Sequence, residues 1–205
     1  GKNSAMQIHN ASYQTSALEL EKCPDPEFPE FAFIGRSNVG KSSLINALVN
    51  QRKPIADVSK TPGRTQMINF FRINDAWHLV DLPGYGFAKV SGKKQDKFNE
   101  FVSDYLANRE NLACVFALID SRHKPQKIDL EFTKWMMETE VPFVLVFTKA
   151  DKMKPGAVKR NVDAFHKEMM EWCDAPPRTY ISASPNGQGR KEILEFIGQA
   201  IDAVK

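Results

Sequence analysis

The chain has 205 residues, 42% of them hydrophobic and 26% charged, which at roughly 150 residues per domain makes one generous domain and falls short of two. This balance excludes a disordered, collagen-like or disulfide-dense chain, and apolar runs such as 113–119 and 141–147 fall far short of the ~20 residues that cross a bilayer. Net charge is 28 minus 25, or +3, which permits a nucleic-acid partner without arguing for one.

Gly1 to Ala5 carry no fold signal, and no apolar h-region follows in the first thirty residues, so a secretory signal is not expected and a cytoplasmic location is. Cys23, Cys114 and Cys173 are widely spaced and lack a zinc-type pattern, which fits reduced thiols. Residues 22–30 contain three prolines in nine positions and read as a surface lead-in. Residues 1–27 are therefore assigned to a lead-in and 28–205 to the domain.

From there strands and helices alternate. Apolar Phe31 to Ile34 precedes a helical pattern over Lys41 to Asn50; alternating runs follow at Ile68 to Ile73 and Trp77 to Leu82, then a helix around Lys93 to Asn108. Ala113 to Ile119 reads as a buried strand, Ile128 to Glu138 as a helix and Val141 to Phe147 as a strand. A helix over Pro155 to Trp172, a short strand over Arg178 to Ser182 and a helix over Arg190 to Val204 complete the pattern. Nearly all-apolar strands between helices predict an α/β fold with helices on both faces of a mostly parallel sheet. Asn74-Asp75-Ala76 is too short for a crossover helix, so the two runs it joins form an antiparallel hairpin. The expectation is a six-stranded sheet with one antiparallel edge strand.

Gly35-Arg36-Ser37-Asn38-Val39-Gly40-Lys41-Ser42 matches G-x-x-x-x-G-K-[ST] between a strand and a helix, where successive amides can face phosphate oxygens. Lys41 would reach the β- and γ-phosphates and Ser42 would ligate magnesium. Asp81-Leu82-Pro83-Gly84 leaves the end of a strand; alone it is a turn, but beside a phosphate loop Asp81 can hold magnesium through water and the Gly84 amide can sense a γ-phosphate. Thr148-Lys149-Ala150-Asp151 also follows a strand. Asp151 can accept the N1 and 2-amino protons of guanine while the Lys149 stem covers the ring. Ile181-Ser182-Ala183 would add a backbone amide for the guanine O6. The loop Ser59 to Gln66 holds Thr61 and Thr65, one of which would ligate magnesium in the triphosphate state.

Together, Gly35 to Ser43, Thr61-Pro62-Gly63-Arg64-Thr65-Gln66, Asp81-Leu82-Pro83-Gly84-Tyr85-Gly86-Phe87-Ala88 and Thr148 to Asp151 resemble the EngB (YsxC/YihA) family of bacterial GTP-binding proteins, over about residues 6–204. The resemblance implies a Ras-like P-loop GTPase that assists assembly of the large (50S) ribosomal subunit and is needed for normal growth and division. It implies GTP contacts at Gly35 to Ser43, Gly63, Arg64, Thr65, Gln66, Met67, Asp81 to Gly84, Thr148 to Asp151 and Ile181, Ser182 and Ala183. Lys41, Thr65 and Gly84 would act in hydrolysis, with Ser42, Thr65 and Asp81 at magnesium; the match to Pro62 to Gln66 selects Thr65 over Thr61. Asn38 stands where potassium-binding GTPases place an oxygen ligand to that ion.

Tyr85 follows Gly84 where Ras-like enzymes carry a water-orienting Gln, and a phenol lacks the amide's donor and acceptor geometry, so intrinsic hydrolysis is expected to be slow. Lys89, Lys93, Lys94, Lys97, Arg122, His123 and Lys124 are candidate contacts to ribosomal RNA, or else a solvated charged face. The expected state is a monomer. The alternatives are a metabolic or tRNA-modifying P-loop enzyme, for which no added catalytic cluster is present, and a polymerising septin-like GTP binder, for which no coiled-coil tail is present.

Overall fold

The computed structural model describes residues 6–56, 67–85 and 92–204, with 92–99 described by backbone alone. Strands β1 (Ala11–Ala17), β2 (Glu30–Gly35), β3 (Ile68–Ile73), β4 (Trp77–Asp81), β5 (Leu112–Asp120), β6 (Phe143–Thr148) and β7 (Thr179–Ile181) form one sheet in the order β1-β3-β4-β2-β5-β6-β7. The helices are α1 (Lys41–Val49), α2 (Gly92–Asn108), α3 (Lys127–Glu138), α4 (Pro155–Met169) and α5 (Arg190–Ala203).

Period-2 alternation in the buried strands builds both faces at once. Ala32, Ile34, Val80, Leu82, Val115, Ala117, Ile119, Leu145 and Phe147 point to a core shared with Tyr105 of α2, Met136 of α3 and Phe165 of α4. Their neighbours Phe31, Phe33, Leu79, Phe116, Leu118, Val144 and Val146 face Leu44 and Leu48 of α1 and Ile193 and Ile197 of α5. The α/β architecture is as the sequence predicts. Among the described residues no helix is long and apolar enough to cross a membrane.

The sheet has seven strands rather than six, because part of the presumed lead-in joins it. In β1 only Ala17 is buried, so the strand carries almost no apolar period; antiparallel pairing to β3, from Ala11 opposite Ile73 to Ala17 opposite Ile68, holds it instead. The reversed strand β3 thus lies one in from the edge, antiparallel to both β1 and β4. Asn74 and Asp75 take left-handed φ of 53° and 49° in the hairpin turn, a conformation these short polar residues tolerate. The Asn74 amide also ties in the amino-terminal segment, accepting from His9 N at 2.7 Å and donating to Gln7 O at 2.7 Å.

At the amino end of β2 the fully buried Glu30 gathers charges from several elements. It accepts two bonds from Arg109, at 2.9 and 2.8 Å, one from the Tyr105 hydroxyl at 2.8 Å and a contact from His78 Nδ1 at 3.0 Å. Arg109 also reaches Pro24 O at 2.7 Å, and His78 reaches Gln14 of β1 at 2.8 Å. Burial pushes the Glu30 carboxyl up, but Arg109 and then His78 outweigh it and leave the group below its ordinary 4.5. A depressed carboxyl stabilises the fold fully above that ordinary value and loses the contribution as pH falls through its lowered folded value. Glu30→Ala, which strands the Arg109 guanidinium, should cost about 3–5 kcal/mol at neutral pH and flatten the acid limb of the stability profile below pH 4.5, read by urea unfolding across that range.

Candidate functional site

β2 ends at Gly35, and the chain curls before entering α1 at Lys41. A Cβ on Gly35 would stand 2.7 Å from Val39 Cγ1 and 3.0 Å from Leu118 O, so only glycine lets the loop lie this close to the sheet. Asn38 and Gly40 take left-handed φ of 65° and 96°, which turns successive peptides through the loop. Among the described residues no side chain caps α1. Its first-turn amides, lacking intrahelical acceptors, are therefore an anion-binding array.

β4 delivers the second loop. Asp81, buried at the strand's end, pairs with the Lys41 ammonium, which also donates to Leu82 O at 2.8 Å. Leu82 N donates to Phe33 O at 3.0 Å and Tyr85 N to Gly35 O at 3.3 Å, so residues 82–85 run on beside the phosphate loop. A Cβ on Gly84 would lie 2.7 Å from Gly35 O and 3.7 Å from Ser37 N.

The third loop leaves β6. The Thr148 hydroxyl donates to Val39 O at 2.6 Å, and Lys149, itself at φ 60°, donates to Asn38 O at 2.6 Å. Lys149 also lies 3.7 Å from Asp120, whose carboxylate takes two forked bonds from Arg122 at 3.0 and 2.8 Å. Burial raises the Asp120 carboxyl, yet Arg122 overcomes it and holds the group below its ordinary value. Asp151 sits in the single turn Ala150–Lys152, beside Lys152 at 3.7 Å. Ala150 N donates to Ser182 O at 3.1 Å, which brings the segment after β7 against the same turn.

The site residues named from the sequence in Gly35 to Ser43, Asp81 to Gly84, Thr148 to Asp151 and Ile181 to Ala183 thus converge at the carboxyl ends of β2, β4, β6 and β7, where open α/β sheets bind ligands. Met67 stands 42% exposed just before β3. Gly63, Arg64, Thr65 and Gln66, with Thr61, Lys89 and the side chains of Lys93, Lys94 and Lys97, lie outside the described residues. The backbone amide expected for guanine O6 is already engaged in this structure: Ser182 N bonds Phe147 O at 2.8 Å and Ala183 N bonds Gln188 O at 3.2 Å. Sequence reasoning missed Asp120, although its place at the end of β5, level with Thr148 in the parallel register, was an available signal. It also missed Asp129 of α3, whose carboxylate accepts the Tyr85 hydroxyl at 2.6 Å.

A family model described as a 50S ribosome-binding GTPase matches residues 30–149, from the start of β2 to the second residue of Thr148-Lys149-Ala150-Asp151. A protein of Bacteroides thetaiotaomicron named probable GTP-binding protein EngB is 51% identical over 193 residues, 94% of this chain and 95% of its own length. The chain belongs to the EngB family of GTP-binding proteins. The Christiangramia forsetii protein of that name is 48% identical over 192 residues, 94% of this chain and 96% of its own. A crystal structure of a probable GTP-binding protein engB shares the fold, with a TM-score of 0.68 at 21% identity over 85% of this chain and 99% of that one. As a member of this family the chain is a GTP-hydrolysing enzyme.

Gly84 offers a direct check on the site. A methyl there meets a backbone carbonyl that cannot swing away, and overpacking of this kind costs about 1–3 kcal/mol. Gly84→Ala should lower single-turnover GTP hydrolysis about tenfold or more while leaving GDP binding near native, the two being compared by rapid quench and by titration.

Proposed function

We propose that this EngB-family GTPase is a nucleotide-driven switch that assists assembly of the large ribosomal subunit in the bacterial cytoplasm, works as a monomer and is thereby needed for growth and division. The match of residues 30–149 to a model described as a 50S ribosome-binding GTPase carries this reading.

In the proposed cycle Lys41 exchanges Asp81 and Leu82 O for the β- and γ-phosphates, while the Gly84 amide meets the γ-phosphate and Asp151 accepts the two guanine donors. Magnesium fits the donor set. Ser42 on the first turn of α1 and the single carboxylate Asp81, with Thr65, suit an ion that takes one or two protein carboxylates and completes its shell from phosphates and water. When bound it neutralises charge on the β- and γ-oxygens. Asn38, whose carbonyl is taken by Lys149, keeps its amide oxygen as the group for potassium.

Tyr85 supports the expectation of slow intrinsic turnover, since its hydroxyl is committed to Asp129 rather than to a water. Turnover without a partner should then be no faster than the order of 10⁻³ per second, as in small GTPases before an activator acts. The partner-facing charge on the described surface includes Arg122, 41% exposed by side chain, and Lys124, also exposed.

Nucleotide-dependent co-sedimentation with large-subunit particles tests the proposal. The GTP-loaded chain should pellet with the particles, with a log-affinity against log-salt slope of about 0.7–0.9 for each phosphate contacted. Failure to pellet in both the GTP- and GDP-loaded forms would remove the ribosomal role and leave the GTPase assignment standing.

A further inference from the structure

Tyr85 holds three parts of the site together. Its hydroxyl reaches Asp129 Oδ1 at 2.6 Å, in the first turn of α3, and its ring packs on Phe132 with centroids 4.5 Å apart. Its backbone bonds Gly35 O at 3.3 Å and bridges Arg36 in parallel, on the phosphate loop. Asp129 is only 3% exposed, and a carboxyl at that depth is costly unless it is hydrogen-bonded. Arg36, Asp120 and His123 contribute charge from the phosphate loop and from the end of β5. Burial drives the Asp129 carboxyl up, and the Tyr85 bond and Arg36 only partly offset it. Burial and then Asp129 push the Tyr85 phenol well above its ordinary value, so the phenol stays the donor.

Gly84 has no side chain to fix it, so its place beside Gly35 and Ser37 depends on Pro83 before it and Tyr85 after it. We infer that Asp129 is a positioning residue for the triphosphate state: through the Tyr85 hydroxyl it holds the Gly84 amide against the phosphate loop, where the γ-phosphate is met. This rests on the role proposed above for Gly84. An amide aimed at a γ-phosphate contributes only if it is already in place when the charge arrives, and GDP has no such group. A bond that merely stiffened the fold would change both nucleotide affinities alike.

The test measures equilibrium affinities for GDP and for a non-hydrolysable GTP analogue, with melting temperatures, on the full chain carrying Asp129→Ala, Tyr85→Phe or Asp129→Asn. Asp129→Ala and Tyr85→Phe should each lower the ratio of GTP-analogue to GDP affinity about tenfold, as expected for a lost hydrogen bond to a charged group. Asp129→Asn, whose amide oxygen can accept the same phenol proton, should restore most of the ratio. Should Asp129→Ala fail to fold, Tyr85→Phe, which keeps the ring on Phe132, decides alone. An unchanged ratio, an equal fall for both nucleotides, or an Asn variant no better than Ala would each overturn the role of Asp129. If Gly84→Ala kept full affinity for the GTP analogue, the reading of Gly84 would fall and this inference with it.

Discussion

A loop that binds an anion through its amides must turn its carbonyl oxygens away from the anion and keep them turned away. In this EngB-family chain the groups that do so come from the end of β6: the Thr148 hydroxyl on Val39 O and the Lys149 ammonium on Asn38 O, each at 2.6 Å. With those carbonyls bonded to the strand end, the left-handed backbone at Asn38 and Gly40 is supported from behind the loop. The same tetrapeptide carries Asp151, so the segment that shapes the phosphate loop is the one proposed to read the base. Support of the phosphate loop and the proposed selectivity at the base thus belong to one strand end.

The two ends of the sheet use buried charge differently. At the amino end, Glu30 is fully satisfied by Arg109, Tyr105 and His78, which fastens the carboxyl-terminal turn of α2 and the adjoining β1 to the central strand. At the carboxyl end the Lys41 ammonium is paired with Asp81, a partner it is proposed to exchange for phosphate, while Lys149 stays on Asn38 O and beside Asp120. The first arrangement gains by never opening. In the proposed cycle Lys41 binds by exchanging partners, so part of its desolvation is already borne before the phosphates arrive.

Much of this was legible in the sequence because the pattern was strong where packing is uniform. The buried strands from β2 to β6 alternate between two cores, and the three-residue join Asn74-Asp75-Ala76 is too short for anything but a hairpin. β1 escaped because an edge strand with one buried side chain, Ala17, has no apolar period to read. The phosphate loop was legible as a contiguous motif, whereas Asp129, 44 positions from Tyr85, and Arg109, 79 positions from Glu30, meet their partners only through the fold. Contacts of that separation leave no spacing in one sequence. The amides of Ser182 and Ala183 make a related point: a motif names the residues but not which of their backbone groups the neighbouring strand and turn engage.

Thr148 is central to this arrangement, its hydroxyl holding the phosphate loop through Val39 O. Calorimetric titration of GDP into the Thr148→Val variant tests this most directly, because valine keeps the shape while removing the hydroxyl that donates to Val39 O and, at 3.4 Å, to Ile119 O. GDP affinity should be about tenfold weaker, with a native circular dichroism spectrum and a melting temperature lowered by only a few degrees. A variant that binds GDP as tightly as the parent would contradict it, since the phosphate loop would then hold its shape without the strand end said to impose it.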